Sequence, residues 1–142
     1  MTQVTFYDTV ADELLKFAVI ISKSNGKWVF CKHKERNTFE VPGGQREKGE
    51  NILDTAKREL YEETGATEFN IKPICAYSVI ADNSFDGKET FGMLYYAEIS
   101  EFEKELHSEI ERIILSDELV DDWTYPEIQP KLLQKAKEKG II

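Results

Sequence analysis

The stretch RELYEETG, Arg58 to Gly65, places Glu59, Glu62 and Glu63 within five residues. At about 100° per residue, positions i, i+3 and i+4 share one side of a helix. Ile52, Leu53, Ala56 and Leu60 fall on the neighbouring arc. The segment therefore reads as a helix docked by an apolar face, with a carboxylate edge beside it. Carboxylates held close and half-buried repel one another unless something compensates them. They can fan into water, or they can hold hard divalent cations, which prefer oxygen ligands. The helix alone leaves both arrangements open.

The flanks define the ends of this helix. Asn51 is placed as an N-cap, with Asp54 three residues on as a variant of the capping box. Gly65 is placed as the C-terminal stop, giving a helix over Ile52 to Thr64. Upstream lies VPGG, Val41 to Gly44, whose paired glycines allow close backbone approach to a ligand. Glu50 stands eight residues before Arg58. An arginine fork suits a carboxylate partner and would hold the loop onto the helix, whereas an ordinary surface ion pair would contribute little.

Farther out, Leu14–Ser22 is an apolar run suited to a buried strand, and Asn25-Gly26 is a two-residue hairpin signal leading into Lys27–His33. TFEVPGG, Thr38 to Gly44, reads as a short strand broken by Pro42-Gly43-Gly44. Phe69–Ala81, Thr90–Ile99 and Ile110–Leu115 read as strands, with a turn at Ser84–Lys88. Pro126–Lys139 reads as a terminal helix that starts late, so that Pro130 lies in its first turn, and Gly140 stops it. Strands with one helix between them and one at the end predict an α/β (α+β) fold, a mixed sheet covered by helices.

Composition agrees with a globular domain. The 142 residues suit one domain over 1–142, with 41% apolar and 32% charged residues. There is no run of about 18 apolar residues. The first residues lack a basic segment leading into an apolar one, so the cytoplasm is the expected location. Cys31 and Cys75 lie singly in apolar segments, which fits reduced buried thiols rather than zinc ligands. The net charge of −9 disfavours nucleic acid as a partner and leaves any phosphate substrate in need of a compensating cation.

Gly44, then Glu50 after five residues, then Arg58-Glu59-Leu60-Tyr61-Glu62-Glu63-Thr64-Gly65-Ala66 after seven more resembles the Nudix box, Gly-x5-Glu-x7-Arg-Glu-U-x-Glu-Glu-x-Gly-U. Every fixed position matches, while Ala66 is small for the bulky aliphatic position U. The resemblance implies a Nudix-type α/β/α sandwich with a mixed β-sheet and the box as loop–helix–loop. It implies hydrolysis of a nucleoside diphosphate linked to another moiety. By the same resemblance Glu59, Glu62 and Glu63 are metal-site carboxylates, the Gly43 carbonyl is a further ligand, and Glu50 with Arg58 is the structural pair. Magnesium or manganese is the implied cofactor, offsetting pyrophosphate charge and activating water. The base that takes the water's proton varies within the family. It is sought among Glu59, Glu62 and Glu63 or among later glutamates, Glu109 and Glu111 first and Glu98 after them.

Substrate contacts are sought in two stretches. Lys32, Lys34 and Arg36 form the main basic cluster before the box, and they are candidate phosphate contacts or simply a charged hairpin end. His33 among them reads as a satisfied or surface histidine. Asp121, Asp122 and Trp123, with Tyr125, precede the last helix and loosely resemble the corresponding region of family members that hydrolyse oxidised purine nucleotides. Core packing competes as an account of the aromatic residues, as it does for Phe39. The expected function is a MutT-like (d)NTP pyrophosphohydrolase acting on oxidised purine nucleotides such as 8-oxo-dGTP. Hydrolysis of ADP-ribose, a dinucleoside polyphosphate or RNA 5′-triphosphate ends is the alternative. A non-catalytic nucleotide-binding module would be marked by a missing box carboxylate, and all are present. Monomer and homodimer both remain open.

Overall fold

The computed structural model describes residues 1–82, 87–105 and 110–142. Its strands are β1 (Thr2–Tyr7), β2 (Leu15–Ser24), β3 (Lys27–His33), β4 (Gly43–Gln45), β5 (Ala66–Ala81), β6 (Thr90–Phe102) and β7 (Ile110–Ser116). The helices are α1 (Ile52–Thr64) and α2 (Gln129–Glu138), with a 3-10 turn at Asp12–Leu14. The sheet runs β1-β5-β6-β2-β3-β7, and β4 pairs with β2 off this path. The β2–β6 pairing is parallel and the others are antiparallel, so the sheet is mixed as expected.

Local chemistry explains the elements that were legible. Asn25 and Gly26 both have positive φ, 52° and 77°, the geometry that a two-residue hairpin between right-twisted strands needs. The Asn51 side chain accepts the Asp54 N–H at 2.8 Å, and Gly65 closes α1 with φ 77°. Pro130 sits in the first turn of α2, where its missing N–H costs nothing.

Two readings change, and one strand was not read. TFEVPGG does not form one strand. Phe39 and Glu40 make isolated bridges to Trp123 and Cys31, and the regular pairing begins only at Gly43. Pro42 has no N–H to donate, yet its carbonyl accepts from Ile20, so the segment passes from β3 to β2 as it crosses the sheet. Leu53 is exposed, whereas Thr55 and Thr64 are buried. Both threonine hydroxyls are satisfied, Thr55 by Glu50 and Thr64 by the Leu60 carbonyl, so their burial is tolerated. The first strand, β1, has no clear alternation. It forms because β5 offers it an edge, in unbroken register from Thr2–Ala81 to Tyr7–Ala76.

The sheet is covered on both faces. On one face Ala56 and Leu60 of α1 pack with Ala18, Ile20, Val29, Tyr95, Ala97 and Ile99. On the other, Leu132, Leu133 and Ala136 of α2 pack with Ile21, Cys75, Tyr77, Leu94 and Tyr96. Cys31 and Cys75 are free, buried thiols. Among the described residues no helix is long and apolar enough to cross a membrane.

Candidate active site

Arg58 organises the carboxylate edge of α1. Its Nε and Nη2 meet the two Glu50 oxygens at 2.8 and 3.0 Å, and Nη2 also donates to the Gln45 carbonyl at 2.9 Å. Nη1 reaches Glu59 at 2.8 Å and Glu62 at 3.3 Å. One guanidinium thus holds the box loop and offsets part of the crowding on the helix. Glu50 is lowered to about 2 by this hydrogen bond, with help from the Thr55 hydroxyl and the Glu47 N–H.

The crowding is only partly relieved. Burial, then the neighbouring Glu63, pushes Glu59 up to about 8 against the counter-pull of Arg58. Glu63 is buried and held at both oxygens, by the Gly43 N–H at 2.7 Å and by His33 Nε2 at 3.2 Å. His33 is raised by its hydrogen bond to Glu63, and Glu40, 3.6 Å from the same ring nitrogen, adds to the rise. Burial raises Glu40 in turn.

Two glycines bring the box loop against this edge. A Cβ on Gly43 would meet the Ala18 carbonyl at 2.7 Å, because β4 lies tight on β2. A Cβ on Gly44 would meet Glu59 Oε2 at 1.8 Å. Gly43 thus lets β4 lie on β2, and Gly44 leaves space for the Glu59 carboxylate where a side chain would otherwise stand.

The donor set suits a divalent cation. Glu59, Glu62 and Glu63 supply hard oxygens, and a cation would relieve the repulsion that raises Glu59. Among the described residues, though, no three acidic, histidine or cysteine side chains already converge as ligands. Arg58 Nη1 bridges Oε1 of Glu59 and Oε2 of Glu62, one oxygen of each carboxylate.

The other candidates are dispersed. Lys32 is paired with Glu111, which that partner holds below the usual carboxylate range. Lys34 and Arg36 are exposed. Glu98 pairs in register with Lys23, while Gly43 pairs with Val19. That four-residue offset along β2 puts Glu98 about 13 Å from the box end of the strand. Glu109 lies outside the described residues. Phe39 is buried with Phe30 and Val41, and the Trp123 ring stands edge-on to Phe30 at 5.5 Å, so both pack in the core. Asp121 and Asp122 are exposed, and Asp122 gives its carbonyl to the Phe39 N–H. Tyr125, by contrast, is 39% exposed and lines a cavity.

That cavity, of about 410 Å³, lies between the sheet and α2. Phe17, Tyr77 and Tyr125 supply rings, and Glu40, Lys88 and Gln129 supply polar groups. Gly43 and Gly44 form its wall toward the box. Gln129 accepts the Val41 N–H at 2.9 Å, tying α2 to this wall. Tyr77 lies across from Gly92, where a Cβ would come within 2.6 Å of its ring. None of Phe17, Tyr77 and Gln129 carries a local signal, since only the register and the helix docking bring them together. Glu40 does carry one, as an acid inside an apolar segment.

Comparison with known proteins agrees with this geometry. The family model of the NUDIX domain matches residues 13–140. A Bacillus subtilis (strain 168) protein, YtkD, provisionally named an 8-oxo-dGTP diphosphatase, is 29% identical over 99% of this chain and 92% of its own. The ADP-ribose pyrophosphatase of the same organism is 42% identical over 42% of this chain and 35% of its own. The crystal structure of the Bacillus subtilis pyrophosphohydrolase BsRppH, an E68A mutant, superposes with a TM-score of 0.79 at 28% identity, covering 98% of this chain and 91% of that one. A complete box, a mixed sheet between helices and a family match over nearly the whole length together establish that the chain belongs to the Nudix family and is a pyrophosphohydrolase acting on phosphorus-containing acid anhydrides.

Proposed function

We propose that the chain is a magnesium- or manganese-dependent nucleoside triphosphate pyrophosphohydrolase of the MutT type, with oxidised purine nucleotides such as 8-oxo-dGTP as substrates. The observation that carries this reading is the shared wall. Gly43 and Gly44 line the cavity, and the same two residues meet Glu63 and Glu59. A nucleoside held among Phe17, Tyr77 and Tyr125 would send its phosphate chain toward the box. Similarity over the full length to a relative named for 8-oxo-dGTP supports a purine nucleotide. The ADP-ribose relative matches over a much shorter stretch.

Glu62 and Glu63, with Glu59 beside them and the Gly43 carbonyl, would hold the ion. When bound, that ion supplies positive charge to the phosphate oxygens and acidifies a water. Glu59 stands against Gly44, at the end of the cavity wall, where it would take the water's proton. Arg58 holds the loop by way of Glu50, and Gly43 and His33 fix Glu63. The chain is read as a single catalytic unit working in the cytoplasm.

A panel of nucleotides tests the assignment. It should include 8-oxo-dGTP, dGTP, ADP-ribose, a dinucleoside polyphosphate and a 5′-triphosphorylated RNA, each with Mg²⁺ or Mn²⁺. The highest kcat/KM is expected for the oxidised purine triphosphate, with nucleoside monophosphate and pyrophosphate as products. Preference for any other member of the panel would reject the substrate assignment and leave the hydrolase class intact.

A further inference from the structure

Glu40 is a buried carboxylate that none of the box chemistry uses. It lines the cavity. Its Oε1 accepts from Arg36 Nη1 at 2.9 Å. The same oxygen lies 3.6 Å from His33 Nε2, the atom that reaches Glu63. The Arg36 guanidinium also stands 5.8 Å from the centre of the Tyr125 ring and 3.5 Å from its hydroxyl. Tyr125 lines the cavity as well. Arg36 is therefore anchored on its inner side by Glu40 and flanked by Tyr125, yet its side chain remains 43% exposed. Lys32, the other cation of this cluster with a described partner, is committed to Glu111.

We infer that Glu40 is a positioning residue that fixes Arg36 at the mouth of the cavity, where Arg36 meets the phosphate chain of the substrate as it passes toward the box. This rests on the nucleotide hydrolase reading above. An arginine tethered on one side keeps several N–H donors for a second anion, and a tether removes the entropy cost of ordering a long side chain during binding. Glu40 also explains why the tether is a buried acid. A surface carboxylate would be screened and weak, whereas one enclosed beside His33 and Arg36 holds its partner in one place.

The test is a double-mutant cycle on whichever nucleotide the wild-type protein hydrolyses, so wild-type turnover reports on the functional reading and the cycle reports on this one. Glu40→Gln keeps the volume and removes the charge. It should raise KM by about tenfold with kcat changed by less than about threefold, the signature of lost substrate binding. Arg36→Ala should do the same, and the double variant should be no worse than Arg36→Ala alone. Arg36→Lys should recover only part of the loss, because a lysine cannot span Glu40 and the substrate with a planar fork. Lys137→Ala, at an exposed position in the last turn of α2, is the control and should leave KM within about twofold. If Glu40→Gln fails to fold, Arg36→Ala, at an exposed position, decides the claim against the Lys137→Ala control. An unchanged KM in Arg36→Ala, additive effects in the cycle, or a loss confined to kcat would overturn the assignment.

Discussion

At Glu59 burial and crowding act together on one carboxyl. Its carboxyl is pushed up to about 8 from an ordinary 4.5 by burial and by Glu63. The folded protein thus binds this proton more tightly than the unfolded chain does. The contribution of Glu59 to the stability of the metal-free protein should be fully present below the ordinary value and should be lost as pH rises through about 8. Glu50 has the opposite sign. Its value is lowered to about 2, so its contribution is present above the ordinary carboxylate range and fades as pH falls toward 2. Thermal melts in chelator between pH 5 and pH 9 should show a downward slope that Glu59→Gln flattens. An equal slope in that variant would show that the strain lies elsewhere. Glu62→Gln and Glu63→Gln should each lower kcat by about a hundredfold or more while circular dichroism stays unchanged, as expected for groups that hold charge in the transition state.

At the scale of elements, the box loop and α1 form one unit, and the two glycines separate its stability from its chemistry. Gly43→Ala drives a methyl into the Ala18 backbone, which cannot move cheaply. It should cost about 1–3 kcal/mol in denaturant unfolding as β4 lifts from β2. Gly44→Ala presses only on the end of the Glu59 side chain. It should leave the unfolding midpoint nearly unchanged and still remove most activity, since Glu59 must turn aside. Similar stability losses in both variants would contradict this division. Asn51→Ala should cost about 1 kcal/mol by loss of the cap. The box and α1 were legible in the sequence because each of their signals is local: a cap, a stop, a periodic face and fixed spacing. The exposure of Leu53 was not, because docking turns the helix to favour Thr55 and Thr64, whose hydroxyls find partners only in the folded state.

The whole molecule sets a cavity between the sheet and α2 beside the carboxylate edge of α1. The segments of β2, β3, β5, β6 and β7, the hairpin and both helices followed from residue patterns, but the order of the strands in the sheet did not, and neither did β1, which depends on an edge that β5 provides from Ala76 to Ala81. The cavity wall was hidden for the same reason. Phe17, Tyr77 and Gln129 meet only through long-range register, while Trp123, for which a base contact and core packing were both open, packs in the core. Divalent metal should raise the melting temperature of the whole chain, because only the folded state gathers the carboxylates. The most direct test is a titration of Mn²⁺ into chelator-treated protein, following bound ion by electron paramagnetic resonance and nucleotide hydrolysis in the same samples. Binding and turnover should rise together, and both should be lost in Glu63→Gln that remains folded. Full turnover in chelator, or in Glu63→Gln, would contradict the assignment of this helix edge as the metal platform.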